Sequence, residues 1–249
     1  MERGNLSLPL GYKVLLVGCA TVRNLFGLIM VASTCKAGQN VREMARHRRF
    51  QSWRSFLGAA SLPLMIVFFF PILVFGLGFI GAIVVVAIAF FGALGFAFRG
   101  IDLWQAANRA DLGAQAEEGV AELLTKLEPQ GWHFQYGLRL EEGLGDADII
   151  CVSPKKNAYV IDVKSHKGTV IFQEHRLHRR MGRTIYAFKK DFLQLVMKQA
   201  LQVRDKKQFD FVTPILVFTR AQLAVSQKKI RGVYVISQND LVEKLQELG

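Results

Sequence analysis

The sequence predicts an α/β domain, a mixed central sheet flanked by helices, preceded by a transmembrane helical hairpin. Three observations lead there: where the charges lie, how long the uncharged stretch is, and how helix and strand patterns alternate after it. Residues 1–54 carry nine Lys/Arg against two Asp/Glu, residues 55–98 carry no charge, and residues 99–249 carry 23 basic and 18 acidic residues. A basic arm, an apolar block and a mixed-charge domain are therefore separate units. With 51% hydrophobic residues, the chain is too apolar for a disordered or fibrous protein.

The 44 uncharged residues between Arg54 and Arg99 decide the membrane class. One helix of that length would run about 66 Å, twice the hydrocarbon thickness, whereas two crossings of about 20 residues fit it. Gly76, Gly78 and Gly81 sit at the midpoint, where a turn needs permissive backbone. Pro63 and Pro71 are tolerated in membrane helices whose neighbours satisfy the freed carbonyls, and Gly92 and Gly95 allow close helix approach. Lys36, Arg42, Arg46, Arg48, Arg49 and Arg54 precede the block, and Arg99 and Arg109 follow it. Short basic flanks stay on the cytoplasmic side, so both ends of the block are expected there. The expected location is the inner (cytoplasmic) membrane, multi-pass, with the lipid bilayer as a partner and the soluble domain in the cytoplasm.

Within the arm, an apolar helix is expected over residues 14–34, interrupted by Arg23 and Asn24. An arginine at mid-bilayer costs about 2.5–3.5 kcal/mol, which favours an interfacial or hairpin-packed helix over a third span. Arg23 also splits the apolar run that a secretory signal needs. Cys19, Cys35 and Cys151 are too widely spaced for a disulfide framework or a zinc knuckle, consistent with a reducing cytosol.

The soluble domain is expected over residues 105–249. Val120, Leu123, Leu124 and Leu127 recur at helical spacing in a helix over 112–127, which Pro129-Gln130-Gly131 ends. Alternation predicts a strand over 132–140, and residues 141–145 form a loop. Residues 147–152 and 158–164 are β-rich on either side of the turn Ser153–Asn157, so they read as a hairpin. A short β run at 170–172 and a basic segment follow. Phe192, Leu195, Val196 and Val203 mark one face of a helix over about 188–203. Strands at 211–218 and 233–236 and a helix over 241–248 complete the chain. The order α-β-β-β-α-β-α-β, to within one element, implies a sheet with helices on its faces.

The chemistry sits on the predicted hairpin. Asp148 lies on its first strand, and Asp162-Val163-Lys164 ends its second. Side chains alternate along a strand, so Asp162 and Lys164 share a face. Two carboxylates on adjacent strands beside a lysine make a hard-oxygen site suited to Mg²⁺ (or Mn²⁺). Such a metal polarises a phosphodiester and lowers the pKa of a bound water, while the lysine orients that water or neutralises charge on the phosphate. The plainer alternative is a strand-end ion pair. From Lys164 to Lys190 the chain carries Lys164, Lys167, Arg176, Arg179, Arg180, Arg183, Lys189 and Lys190 against Glu174 alone, with Tyr186 and Phe188 interleaved. That composition suits phosphate-backbone contact; its alternative is a solvated basic hairpin. His175 and His178 have no cysteine or carboxylate cluster beside them to make a metal site. No Ser-His-Asp set, phosphate-cradling glycine loop or dinucleotide fingerprint is present.

Residues 110–248 resemble the nuclease-related domain (NERD) family, a branch of the PD-(D/E)XK phosphodiesterases. Gly145-Asp146-Ala147-Asp148-Ile149-Ile150 looks like the family's Gly-x-x-Asp strand. Tyr159-Val160-Ile161-Asp162-Val163-Lys164-Ser165, with Gly168 soon after, looks like its aliphatic-acid-x-Lys strand. Gly113-Ala114-Gln115-Ala116-Glu117-Glu118 is similar to its Gly-x-x-Gly-Glu helix start. Lys198-Gln199-Ala200 resembles its glutamine-bearing helix, and Pro214–Thr219 its late strand. The resemblance implies a restriction-endonuclease-like fold and metal ligation by Asp148, Asp162 and the Val163 carbonyl. It also implies water activation by Lys164, and supporting roles for the helical glutamate and glutamine. Two departures stand out: Asp162 replaces the commoner glutamate, and Ala116 replaces the glycine before the glutamate, so the motif alone fits Glu117 or Glu118. Helical geometry separates these. Glu117 shares the inner face with Val120, Ala121 and Leu124, whereas Glu118 faces outward with Glu122. By the same test Gln199 faces inward with Leu195, Val196 and Val203, and Gln194 faces out.

The expected function is a membrane-anchored, Mg²⁺-dependent nuclease acting on nucleic acid, DNA before RNA. Its expected catalytic residues are Asp148, Asp162, Lys164, Glu117 and Gln199; Glu117 joins Asp148, Asp162 and Val163 at the metal. Lys167, Arg176, Arg179, Arg180, Arg183, Lys189 and Lys190 are expected to contact nucleic acid. The rival is a catalytically inactive nucleic-acid-binding or scaffolding module tethered at the membrane.

Overall fold

A computed structural model describes residues 36–249; the apolar segment 14–34, Cys19 and Cys35 lie outside the described residues. Helix α1 runs Gln39–Leu124 and is interrupted at Gly78, whose φ of 70° and ψ of 172° are not helical. This break falls on one of the three midpoint glycines. Pro63 and Pro71 sit inside the helical stretch. Among the described residues, this is the one helix long and apolar enough to cross a membrane. Its middle makes little contact with the other described residues, and Phe75 is 96% exposed. The residues on either side of the block do meet. Ser52 Oγ donates to the Gly100 carbonyl at 2.8 Å, and Arg48 donates to the Ala106 carbonyl at 3.4 Å. Arg49 pairs with Asp111 and Arg42 with Glu118. Gly100 faces the Phe56 ring so closely that a Cβ there would lie 2.6 Å from it, and Gly58 faces Phe96.

A 3-10 turn at Thr125–Gln130 follows α1 and ends at Gly131, whose φ of 86° only glycine adopts freely. The sheet then forms from β1 (His133–Arg139), β2 (Asp146–Val152), β3 (Ala158–Gln173), β4 (Arg176–Met181), β5 (Thr184–Ala187), β6 (Val212–Ala224), β7 (Lys229–Ile230) and β8 (Val233–Ser237). Helix α2 (Phe192–Lys207) stands between β5 and β6, and α3 (Leu241–Leu248) closes the chain. The strand order is β1-β2-β3-β6-β8-β7, with β4 and β5 forming a ribbon on the far half of β3. Pairing is antiparallel across β1-β2-β3 and parallel across β3-β6-β8. The sheet is mixed, with helices on both faces.

Strand alternation divides the core into two layers. Ile150, Val160, Leu216 and Val235 pack under α2 with Val196, Ala200 and Val203. Ile149, Ile161, Ile215 and Ile236 pack on the other face with Val120, Leu124, Leu241 and Leu245. Each layer has a helix because each face of these strands is aliphatic.

Several expected elements differ. A short strand, β7, turns antiparallel onto β8 and α3 follows, so the chain ends in strands and then a helix, rather than in the β-α-β of the expected order. The expected strands at 158–164 and 170–172 are one strand, bent by a bulge between Lys164 and Lys167. The basic segment is itself a β ribbon. Its Arg and His side chains hide the pattern, and in β4 only Leu177 is buried. Helix α2 starts four residues later than expected, because the Asp191 carboxylate caps it by accepting from Leu193 N at 3.1 Å and Gln194 N at 3.2 Å.

Candidate active site

The acids meet where β2 and β3 part. Registered pairing between these strands ends at Ile149 and Ile161. Beyond it, the Asp148 carboxylate takes the place of a backbone carbonyl and accepts from Val163 N at 2.7 Å. A buried N–H needs a partner, so the side chain satisfies the donor that the diverging strand leaves behind. Past this fork, β2 stays with β1 and β3 stays with β6.

Asp162 is 2% exposed and lies one step beyond the last registered pair. It shares a face with Lys164, whose ammonium lies 2.5 Å from its Oδ2. Among the described residues no further donor reaches that oxygen, so the ion pair alone compensates its burial. The Lys164 ammonium also lies 3.4 Å from the Val163 carbonyl and 5.4 Å from the Phe192 ring centroid. Its stem is thereby fixed against α2. Burial opposes the lysine's charge, but Asp162, Asp148 and Glu117 outweigh it and raise its pKa.

Glu117 arrives from α1, on the face opposite α2. Val120 and Leu124, one turn and two turns on, are fully buried against the sheet. Burial, then the nearby Asp148 charge, raises the Glu117 pKa to about 8. Burial and the Asp162 charge raise that of Asp148 to about 7. Glu118 takes the other course, reaching outward to Arg42 in a two-pronged ion pair that lowers its pKa.

Gln199 is 2% exposed, and its amide nitrogen donates to the Leu144 and Asp146 carbonyls, each at 3.3 Å. It thereby pins the chain entering β2, two residues ahead of Asp148. Its Oε1 accepts no hydrogen bond among the described residues. Gln194 is exposed, as helical geometry requires.

Beside the fork, the bulge after Lys164 turns β3 toward the basic ribbon. Gly168, with φ of 97°, takes the bend; a Cβ there would lie 2.6 Å from the Arg180 carbonyl. His166 stacks on Phe192 at 5.6 Å and meets Phe188 at 5.0 Å. Burial, and then Arg179 and Lys164, lower its pKa. Arg179 is half-buried over Tyr186, while Lys167, Arg176, Arg180, Arg183, Lys189 and Lys190 are exposed. Arg176 lies at the ribbon's far end, where β4 begins opposite Gln173.

The residues that would hold a divalent cation are two adjacent carboxylates, a third from α1 and the Val163 carbonyl. Their hard oxygens suit Mg²⁺ or Mn²⁺, and the crowding of acids that raises two of their pKa values is the electrostatic condition for a bound cation. Among the described residues no three His, Cys, Asp or Glu side chains already stand in a metal-holding group. Asp162 is instead neutralised by Lys164 and Asp148 is tied to Val163 N. An open cavity lined by Tyr159, Phe209, Thr213 and Tyr234 lies elsewhere, and none of the four charged site residues lines it.

Residues 112–219 match the nuclease-related domain (NERD) family. The chain carries a nuclease-related domain. The matched span runs from the end of α1 through most of β6, and so contains Glu117, Asp148, Asp162, Lys164 and Gln199. Comparison with curated proteins and with solved structures found no match.

Two contacts of this nuclease-related domain were invisible in the sequence. Asn40 Nδ2 donates to Asp146 Oδ2 at 3.0 Å across 106 residues, and Gly38 packs so closely on α1 that a Cβ there would lie 2.8 Å from the Ala114 carbonyl. Neither residue belongs to a motif, and only the fold brings them near.

The raised acids set a pH dependence for the metal-free protein. A folded-state pKa above the ordinary value means that the folded chain binds more protons, so stability is lost as pH rises. In EDTA, thermal stability is expected to fall from about pH 5 to pH 8, the interval bounded by the ordinary and raised Glu117 values. Glu117→Gln should flatten that decline. Equal slopes for both proteins would place the Glu117 pKa near its ordinary value.

Proposed function

We propose that the chain is a membrane-anchored, metal-dependent nuclease that hydrolyses phosphodiester bonds in DNA. The observation that carries this reading is the fork, where Asp148, Asp162, Glu117 and Lys164 converge although they come from three elements. A strand-end ion pair does not require two further acids beside it. Bound Mg²⁺ or Mn²⁺ would supply Lewis-acid polarisation of the phosphate and acidify a coordinated water. Asp148, Asp162, Glu117 and the Val163 carbonyl would hold it. Lys164, on the same face as Asp162, would orient the attacking water and offset the charge growing on the phosphate. Gln199 keeps the approach to β2 fixed, and the ribbon and its neighbouring lysines would bind the phosphate backbone on both sides of the scissile bond.

The purified full chain, in detergent or nanodiscs, should cleave DNA with Mg²⁺ or Mn²⁺ and stop on adding EDTA. Binding without metal-dependent cleavage on single-stranded DNA, double-stranded DNA and RNA would leave the rival binding or scaffolding module.

The membrane reading rests on the uncharged block and its exposed side chains. An apolar surface as continuous as that around Phe68, Phe75 and Ile80 is unfavourable in water and ordinary in lipid. The contacts Ser52–Gly100, Arg49–Asp111 and Arg42–Glu118 support a two-span hairpin turning at Gly78. The basic flanks support a cytoplasmic location for both ends, at the inner membrane. Cysteine labelling or reporter fusions at residue 45 and after residue 249 should both report the cytoplasmic side. Opposite sides would mean an odd number of spans between them.

A further inference from the structure

The segment just before the apolar block does more than flank a membrane. Gly38 stands at the start of α1 with φ of 70°, and a Cβ there would lie 2.8 Å from the Ala114 carbonyl. Its backbone therefore seats directly on the turn of α1 that carries Glu117. Asn40 reaches the other wall of the fork, donating to Asp146 Oδ2 at 3.0 Å. It also covers Gly137, whose φ is 61° and where a Cβ would lie 3.1 Å from Asn40 Nδ2. Gly137 lies in β1 between Tyr136 and Leu138, the partners of Ile149 and Ala147, so it sits across from Asp148. Arg42 completes the contact through its two-pronged pair with Glu118. Three alternate residues of one short segment thus contact both walls of the acid site.

We propose that Gly38–Arg42 is a positioning element of the nuclease site, holding the Glu117 turn of α1 against the β1–β2 edge that bears Asp148. Activity then depends on the membrane-proximal arm folding back across the apolar block onto the domain. This rests on the nuclease reading, but the packing it describes has a readout of its own. The arm residues are positioning residues. They act through Glu117 and Asp146.

The test uses the full chain in nanodiscs and four proteins: wild type, Asn40→Ala, Arg42→Glu, and Arg42→Glu combined with Glu118→Arg. Backbone hydrogen exchange and DNA cleavage with Mg²⁺ are measured on each. Arg42→Glu sets two acids against each other and should lift the arm. Asn40→Ala and Arg42→Glu should speed exchange in residues 113–119 and 137–148 while leaving β8 and α3 protected. Each should lower cleavage by about ten-fold or more, the scale of loss that small misplacements in an active site produce. The charge-swapped double variant should recover both protection and cleavage. Wild-type protection and wild-type cleavage in both single variants would overturn the proposal. So would a double variant no better than Arg42→Glu alone. If exchange responds as described but wild type itself never cleaves, the positioning contact stands and the nuclease reading falls.

Discussion

Asp162→Asn in the full chain is expected to lose metal binding and cleavage together. Asp162 is the most buried of the acids, and its Oδ2 depends on the Lys164 ammonium alone. An asparagine fills the same space but removes the anionic oxygen that a hard cation needs. It also leaves the Lys164 charge without its closest partner. Lys164→Ala should behave differently. Metal and DNA binding should persist, while cleavage falls by about 10²–10⁴, the usual contribution of a positioned proton-transfer group. Mn²⁺ titration by calorimetry, DNA binding in Ca²⁺ and single-turnover cleavage in Mg²⁺ separate these effects. If Lys164→Ala abolished metal binding, the lysine would be organising the ligands rather than acting on water. If Asp162→Asn cleaved normally, the fork would not be the catalytic centre.

How much of this was legible beforehand depends on how local each signal is. Asp162 and Lys164 are two residues apart on one strand, and strand alternation alone places them on one face. Gln199 was equally legible, because Val196 and Val203 fix the inner side of α2. The basic ribbon was seen as composition but not as structure. A two-stranded ribbon with one solvated face has no aliphatic run, and its register comes from pairing with β3 at Thr169–Gln173. The length of β3 was hidden for a related reason: the bulge at Lys164–Lys167 interrupts its alternation, so one strand reads as two. The contacts of Gly38, Asn40 and Arg42 were beyond reach. They span gaps of 76 residues for Arg42–Glu118 and 106 for Asn40–Asp146, and periodicity carries no information over such distances.

The choice between Glu117 and Glu118 gives the second large effect. The two are adjacent in sequence, share a side chain and live in opposite environments. Glu117 is held among acids, and its pKa rises to about 8, whereas Glu118 meets Arg42 in solvent and its pKa falls. Glu117→Gln removes a charge that the metal-free fold tolerates poorly and keeps the side chain's size. The metal-free variant should therefore be at least as stable as wild type above neutral pH, the direction its raised pKa dictates. Its cleavage should nevertheless drop steeply, because the site then offers the cation one anionic ligand fewer. Stability gained where function is lost is the usual mark of an acid kept for chemistry rather than for folding. Glu118→Gln keeps an oxygen for Arg42 to donate to, so most of its cleavage and all of its Mn²⁺ affinity should survive. Melting curves in EDTA at pH 8 and cleavage rates at saturating Mg²⁺ test both halves. Equal cleavage by the two variants would remove the α1 acid from the mechanism. A destabilised Glu117→Gln in EDTA would show that the carboxylate is ionised and serving the fold.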